Sequence, residues 1–224
     1  MQSYQVRDTA KKDVNVVMNE EITRLKSSDF AIASETLAAA FSQDPLISYF
    51  LPEDTTVKQR ALKHLSKAFL NFGQLYGHTY TTADEPRGVA IWLPPEASQI
   101  TFLQLRKTVT SGLITSFLYL RWTRIVDFIS LVNTEIQLHN KLCPEPHWYL
   151  GMLGVSPKCQ GQGIGGKLLQ PVLARADREK MPCYLETTTA PAVRFYQRHG
   201  FEVVHKGMFV NREYWSMKRC PCTL

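Results

Sequence analysis

Leu153 to Gly166 reads L-G-V-S-P-K-C-Q-G-Q-G-I-G-G, and this stretch decides the fold. It opens on the end of an apolar run that begins at Tyr149 and is typical of a buried strand. Pro157 ends the run, four glycines follow, and helix-period apolar positions begin directly afterwards. A strand, a glycine-rich loop and a helix form a cradle for a pyrophosphate, because backbone N–H groups converge there and the helix N-terminus is partially positive.

Two common phosphate-binding loops are excluded by their spacing. The glycines follow G-x-G-x-G-G instead of G-x-G-x-x-G, and the ribose-binding acid expected about twenty residues on is missing from residues 181–184. The nucleotide-triphosphate loop needs a hydroxyl after its lysine, but Leu168 follows Lys167. The pattern that does fit is Q-x-x-G-x-G, carried by Gln160, Gly163 and Gly165. A plain glycine-rich turn is the alternative for this pattern alone.

A second motif lies about 30 residues downstream. Residues 192–201 read A-V-R-F-Y-Q-R-H-G-F, similar to A-x-x-F-Y-x-x-x-G-F. The two motifs, in this order, resemble the acyl-coenzyme A loop and the following helix of the GCN5-related N-acetyltransferases (GNAT). This resemblance implies an α/β (α+β) fold: a mostly antiparallel twisted sheet with splayed fourth and fifth strands, flanked by helices. It also implies acetyl-coenzyme A (acetyl-CoA) as cosubstrate, with no metal.

The resemblance assigns the cofactor contacts mainly to main chain. The pantetheine arm is expected along Leu153 to Val155, with the N–H of Leu153 facing the thioester carbonyl. The phosphates are expected at the loop and the helix start, and Thr189 stands where many family members carry a cofactor-binding Asn. The expected cofactor-binding residues are Leu153, Gly154, Val155, Gln160, Gly161, Gln162, Gly163, Ile164, Gly165, Gly166 and Thr189.

Two side chains are expected to carry the chemistry. Tyr196 is the expected general acid for the leaving thiolate, and a core tyrosine is the alternative. Glu186, at the end of an otherwise apolar strand, is the expected base or water-relay carboxylate, with a raised pKa if buried. A structural acid is its alternative. His139 and His147 are alternative bases, although ordinary surface histidines are the simpler interpretation of both.

Cys159 lies in the loop without an evident base beside it, which disfavours a covalent acyl-enzyme.

The rest of the chain predicts a conventional set of elements. Strands are expected over residues 21–25, 78–82, 88–93 and 183–187, with another starting at residue 201. Ser28 is expected to cap a helix over Ile32, Leu37 and Phe41. Asp54 is expected to cap a longer helix through Leu62, Leu65, Phe69 and Phe72 that stops near Gly73 and Gly77, and Thr189 a helix that Gly200 ends. Ile164, Leu168, Leu169, Val172, Leu173 and Ala176 recur with helical period and predict one buried helix face.

Residues 96–146 are the part least like a minimal family member. Their apolar residues recur with helical period and predict two helices docked over the acceptor side. The run 113–132 is apolar enough to suggest a membrane span, but Arg121, Arg124 and Asp127 are costly at a bilayer centre. A helix lying on a membrane surface is the runner-up.

Composition agrees with a soluble globular protein. The chain has 224 residues, 44% of them apolar and 21% charged, which suits one domain over 16–224 after a mobile tail at 1–15. A net charge of +6 without an arginine-rich run argues against nucleic-acid binding and suits an anionic coenzyme. Five cysteines without metal-ligand spacing, and no secretory signal, predict a cytoplasmic protein with reduced thiols and no zinc site. A monomer or a homodimer is expected.

Scattered matches from about residue 30 to 205 narrow the resemblance to the puromycin N-acetyltransferase branch. They include A-A-A-F-S-Q-D-P at 38–45 and G-V-A-I-W-L-P-P-E at 88–96. The expected function is direct acetyl transfer from acetyl-CoA to a primary amine of a small molecule. The alternatives are a peptide or protein amine acetyltransferase and a non-catalytic acyl-CoA-binding module.

Overall fold

A computed structural model describes residues 21–98 and 118–222 of the chain. The predicted tail and the first predicted helix of the insertion lie outside the described residues. The single domain beginning at residue 16 stays a prediction.

The strands form one seven-stranded sheet with the order β1-β2-β3-β4-β5-β7-β6. All neighbouring strands are antiparallel except β4 and β5, which are parallel. The bounds are β1 Ile22–Arg24, β2 Thr79–Thr82, β3 Gly88–Leu93, β4 Trp148–Val155, β5 Cys183–Thr187, β6 Glu202–Phe209 and β7 Arg212–Arg219. This architecture confirms the predicted fold class.

Helices cover both faces of the sheet. Their bounds are α1 Phe30–Ala40, α2 Pro45–Phe50, α3 Thr55–Gln74, α4 Pro95–Ser98, α5 Ile125–Leu142, α6 Ile164–Glu179 and α7 Ala190–Gln197. Helices α6 and α7 pack on one face in the largest core cluster, which contains all six predicted apolar positions of α6. Helices α1 and α3 pack on the other face around Leu37, Leu70 and Met152.

The fourth and fifth strands separate soon after they begin. Their pairing is confined to Trp148 with Cys183 and Tyr149 with Tyr184. Beyond these pairs β4 continues to Val155 beside β3 alone. The remaining backbone on the other side of β4 therefore borders a gap, as the predicted splay requires.

A β-bulge at Gly151 changes which face the side chains of β4 occupy. Ile91 pairs with Met152 and Trp92 with Leu150, so Gly151 is the extra residue. Leu150 packs under α6, whereas Met152 packs against α1 and α3. One inserted residue thus reverses the period-two alternation at the point where the strands separate.

The predicted helix caps and strands were partly confirmed: the Ser28 cap was wrong, the Asp54 cap was confirmed, and one strand was missed. Ser28 does not cap α1: its hydroxyl donates to Asp29 at 2.9 Å, and the helix begins at Phe30 with no side-chain cap. The Asp54 cap is confirmed, because its carboxylate accepts from the N–H of Val57 at 2.9 Å. Strand β7 was not predicted, because the turn before it uses Val210 and Asn211 at positive φ and lacks a Gly or Pro signal.

Helix α5, the described helix of the insertion, docks onto α2. The Tyr49 hydroxyl donates to Asp127 at 2.6 Å, and Phe50 packs edge-on against Phe128 with ring centroids 5.3 Å apart. The guanidinium groups of Arg124 and Arg212 lie over the Tyr49 ring at 4.3 and 4.7 Å. These contacts fix α5 against α2. None of the helices in residues 21–98 and 118–222 is long and apolar enough to cross a membrane.

Candidate active site

The four loop glycines serve two different purposes. Gly161 and Gly163 have φ of +79° and +80°, and a Cβ added to either would have no neighbouring atom within 4 Å. They supply a left-handed backbone beside open space. A Cβ on Gly165 would lie 3.1 Å from Phe195, and one on Gly166 would lie 2.8 Å from His199. This second pair is required by the packing of α6 against α7.

The N-terminus of α6 presents free backbone donors to that open space. Its first helical bond runs from the N–H of Lys167 to the carbonyl of Gly163 at 3.1 Å. The N–H groups of Ile164, Gly165 and Gly166 therefore lack helical acceptors, and the first turn contains no acidic residue. The loop thus fits a pyrophosphate by backbone geometry and charge.

Other predicted cofactor residues surround the same loop. The Gln160 side chain donates to the Val155 carbonyl at 3.1 Å and ties the loop to the end of β4, while the Gln162 side chain is directed to Lys158. Leu153, Gly154 and Val155 lie in the part of β4 that pairs with β3 alone.

Thr189 precedes α7, but the expected side-chain cap does not form. Capping requires the hydroxyl to reach an N–H of the first helical turn, and this hydroxyl bonds none of them. The hydroxyl is therefore not used to cap α7.

Tyr196 is buried in the core beneath the sheet. Its ring packs edge-on with Phe195 and with Phe201, at centroid distances of 5.1 and 5.8 Å. Within residues 21–98 and 118–222 its hydroxyl makes no hydrogen bond, so the proton is not committed to another group. Burial raises the pKa of the phenol, which keeps it protonated and able to donate.

Glu186 lies on the opposite face of the sheet. Leu185 packs in the α6 core, so the strand alternation turns Tyr184 and Glu186 toward α5. Burial, and then the nearby carboxylate of Glu135 from α5, raise the pKa of Glu186 to about 8, while the hydroxyls of Tyr149 and Tyr184 partly oppose that rise. Burial likewise raises the pKa of Glu135 to about 7. The charge of Glu135 therefore acts on the carboxyl group of Glu186.

His139 and His147 form a buried pair beside Glu186. Their side chains are 3% and 0% exposed, so the interpretation of both as surface histidines was wrong. Their Nε2 atoms lie 2.7 Å apart, and His139 Nδ1 lies 3.9 Å from Glu186 Oε1. Burial lowers the pKa of both rings, that of His139 to about 3, which keeps them neutral.

Three of these residues were missed in the sequence: Glu135, Tyr149 and Tyr184. Glu135 had a detectable signal, because it precedes His139 by four residues and so shares its helix face. The two tyrosines had none, since aromatic residues in strands are ordinarily core. No cluster of three or more metal-ligating side chains occurs within the described ranges.

Comparisons with known proteins agree with this geometry. Residues 115–203 match the family described as the acetyltransferase (GNAT) domain. An uncharacterized N-acetyltransferase of Schizosaccharomyces pombe is 26% identical over 196 residues, covering 85% of this chain and 77% of that protein.

Two solved structures share the fold. One is described as histone acetyltransferase HPA2 and related acetyltransferase from Corynebacterium glutamicum; it has a TM-score of 0.63 and 22% identity over 92% of this chain and 99% of its own. The polyamine N-acetyltransferase of Drosophila melanogaster, which forms N-acetylagmatine, has a TM-score of 0.54 and 16% identity over 89% and 99%.

The splayed sheet and the glycine loop at a helix N-terminus agree with the fold of these acetyltransferase structures. Residues 115–203 thus match a GNAT acetyltransferase domain, and the chain is similar to an N-acetyltransferase over most of its length.

Proposed function

We propose that this enzyme transfers the acetyl group of acetyl-CoA directly to a primary amine of a small molecule. One observation carries the proposal: the sheet opens between β4 and β5, with a phosphate-binding loop on one side and the buried Glu186 carboxyl on the other. A free amine and an acyl thioester can then meet in the gap. The puromycin N-acetyltransferase branch remains our assignment within the family, on the sequence motifs.

The cosubstrate would be held by main chain. The N–H groups at the start of α6 would bind its phosphates, while Leu153 to Val155 would bind the pantetheine arm. The N–H of Leu153 would stabilise negative charge on the carbonyl oxygen. Bound acetyl-CoA supplies the acetyl group as an activated thioester.

Glu186 would accept the proton of the attacking ammonium. A carboxyl group with a pKa near 8 is a stronger base than an ordinary one, and it is partly ionised near neutral pH. On the other face Tyr196 would donate its phenolic proton to the departing sulfur, since its high pKa keeps that proton in place until charge develops. Each residue thus handles one proton of the reaction.

Small amines are favoured as acceptors over polypeptides. Helix α5 closes over Glu186, whose side chain is only 14% exposed. The Drosophila neighbour acts on a small cationic amine, which two adjacent carboxyl groups would suit here as well. A peptide or protein amine acetyltransferase is the same-class alternative. We propose a cytoplasmic location and a monomer or homodimer.

The deciding experiment measures thiol release from acetyl-CoA with a panel of diamines, arylamines, aminonucleosides and lysine peptides. We expect turnover with at least one small amine and an ascending rate–pH limb with a midpoint near pH 8. Glu186→Gln should remove that limb. Turnover with lysine peptides alone would show that the enzyme is a peptide or protein amine acetyltransferase. Binding of acetyl-CoA without turnover on any amine would leave only the non-catalytic module.

A further inference from the structure

The contacts of the buried pair His139 and His147 determine which ring nitrogen of each carries the proton. His147 Nδ1 lies 2.7 Å from the backbone carbonyl of Glu145. A carbonyl oxygen only accepts, so His147 Nδ1 carries a proton and donates it. In a neutral imidazole the other nitrogen, Nε2, then has no proton and must accept.

The tautomer of His139 follows from that of His147. Its Nε2 lies 2.7 Å from the accepting Nε2 of His147, so it must be the donor. His139 Nδ1 is therefore unprotonated, and this lone pair lies 3.9 Å from Glu186 Oε1. Stacking on Tyr184, with centroids 4.4 Å apart and planes at 26°, holds the ring in this orientation. A backbone carbonyl thus determines which atom faces the proposed base.

We propose that His139 is a positioning residue whose Nδ1 accepts a hydrogen bond from Glu186 once that carboxyl has taken the proton of the amine. The inference rests on the proposed role of Glu186. The proton leaves the substrate nitrogen, forms an O–H bond on Glu186 and remains there, held toward His139. A separation of 3.9 Å is longer than a hydrogen bond, so the contact must shorten when substrate binds, as catalytic contacts commonly do.

Nearby charges leave this arrangement intact. Glu135, Tyr149 and Tyr184 also face Glu186 and act on its charge. Beside His147, the Glu145 carboxylate is paired with Lys218 at 2.5 Å. Both rings stay neutral through the working pH range, because burial lowers the pKa of each. The bare Nδ1 therefore favours the protonated form of Glu186.

The first test reads the tautomers directly. In the ¹⁵N NMR spectrum of the histidine-labelled enzyme, we expect His147 as the Nδ1–H form and His139 as the Nε2–H form between pH 6 and 9. A His139 ring protonated at Nδ1 overturns the inference. This measurement needs no substrate, so it is independent of whether the proposed function is right.

The second test uses three variants of the pair. His139→Phe keeps a ring on Tyr184 but removes both nitrogens. His147→Leu removes the acceptor that sets the tautomer, and His147→Gln is the matched control because its amide oxygen can still accept from His139.

We expect His139→Phe and His147→Leu to move the midpoint of the rate–pH limb to lower pH and to reduce turnover at least about tenfold, with the Michaelis constant for acetyl-CoA within about threefold. His147→Gln should keep the parent midpoint. Three identical midpoints in folded variants would show that the pair is only structural. If Glu186→Gln itself leaves the limb unchanged, the proposed base is wrong, while the NMR result still decides the tautomers.

Discussion

Glu186 and Tyr196 lie on opposite faces of the sheet. Leu185 shares a core cluster with Tyr196, whereas its neighbour Glu186 faces His139 and α5. Strand alternation, with one residue between the two faces, produces this arrangement. If Glu186 is the base and Tyr196 the acid, as we propose, the two residues act on different atoms of one reaction without exchanging protons with each other.

Removing the Tyr196 hydroxyl should affect turnover and spare binding. Tyr196→Phe keeps the ring packed beside Phe195 and removes the hydroxyl that we propose as the donor to the developing thiolate. We expect a loss of roughly 10²- to 10⁴-fold in turnover, with acetyl-CoA affinity within about threefold, because the interaction forms mainly in the transition state. Pre-steady-state kinetics checks this. Tyr76→Phe, at the end of α3, is the control and should behave as the parent. Unchanged turnover with rate-limiting chemistry would make Tyr196 a core residue.

Strain at Gly163 should weaken coenzyme A binding. Gly163 has a φ of +80°, so Gly163→Ala must distort the backbone that presents the loop N–H groups. We expect the dissociation constant for coenzyme A to rise at least ~10-fold, about 1.4 kcal/mol, by calorimetry. Gly77→Ala is the matched control, because Gly77 has a φ of +67° and equally open surroundings but lies outside the loop. Equal affinity in both variants would contradict the assignment of the cradle.

Neutralising Glu135 should make Glu186 a weaker base. The raised pKa of Glu186 comes first from burial and then from the charge of Glu135. Glu135→Gln removes the like charge, so the ionised form of Glu186 becomes less costly and its pKa falls toward its ordinary value. The ascending rate–pH limb should therefore move to lower pH without disappearing, whereas Glu186→Gln abolishes it. A limb that moves upward or stays in place would show that the two carboxyl groups are not coupled.

Trp122 should influence the acceptor more than the cosubstrate. Trp122 is 89% exposed in the turn that precedes α5, whereas Tyr119 stacks on His64 with centroids 4.8 Å apart. We expect Trp122→Ala to raise the Michaelis constant of the amine and to leave that of acetyl-CoA unchanged. Tyr119→Ala should chiefly lower the melting temperature, because it removes a packed ring. Equal effects of Trp122→Ala on both Michaelis constants would refute a role in acceptor binding.

Much of the cosubstrate side was predictable because its signals are local. Gly163 and Gly165 stand next to helix-period apolar positions, so the loop and α6 could be identified from adjacent residues. Asp54 was likewise recognised as a cap from its place before an apolar helix. The sequence did not distinguish the glycines needed for their backbone conformation from those needed for close packing. That distinction depends on the positions of Phe195 and His199 in the structure.

The acceptor side depended on contacts between distant segments. Glu135 and His139 lie close to Glu186 although about fifty residues separate them from it in the sequence. No local sequence pattern shows which residue of α5 will lie over β5. The bulge at Gly151 also could not be predicted from local sequence, because an extra residue in one strand is defined only by its pairing with the neighbouring strand. Local backbone preference and hydrophobic period thus specified the cradle, while long-range packing of α5 on the sheet brought the carboxyl and imidazole groups together and set their protonation.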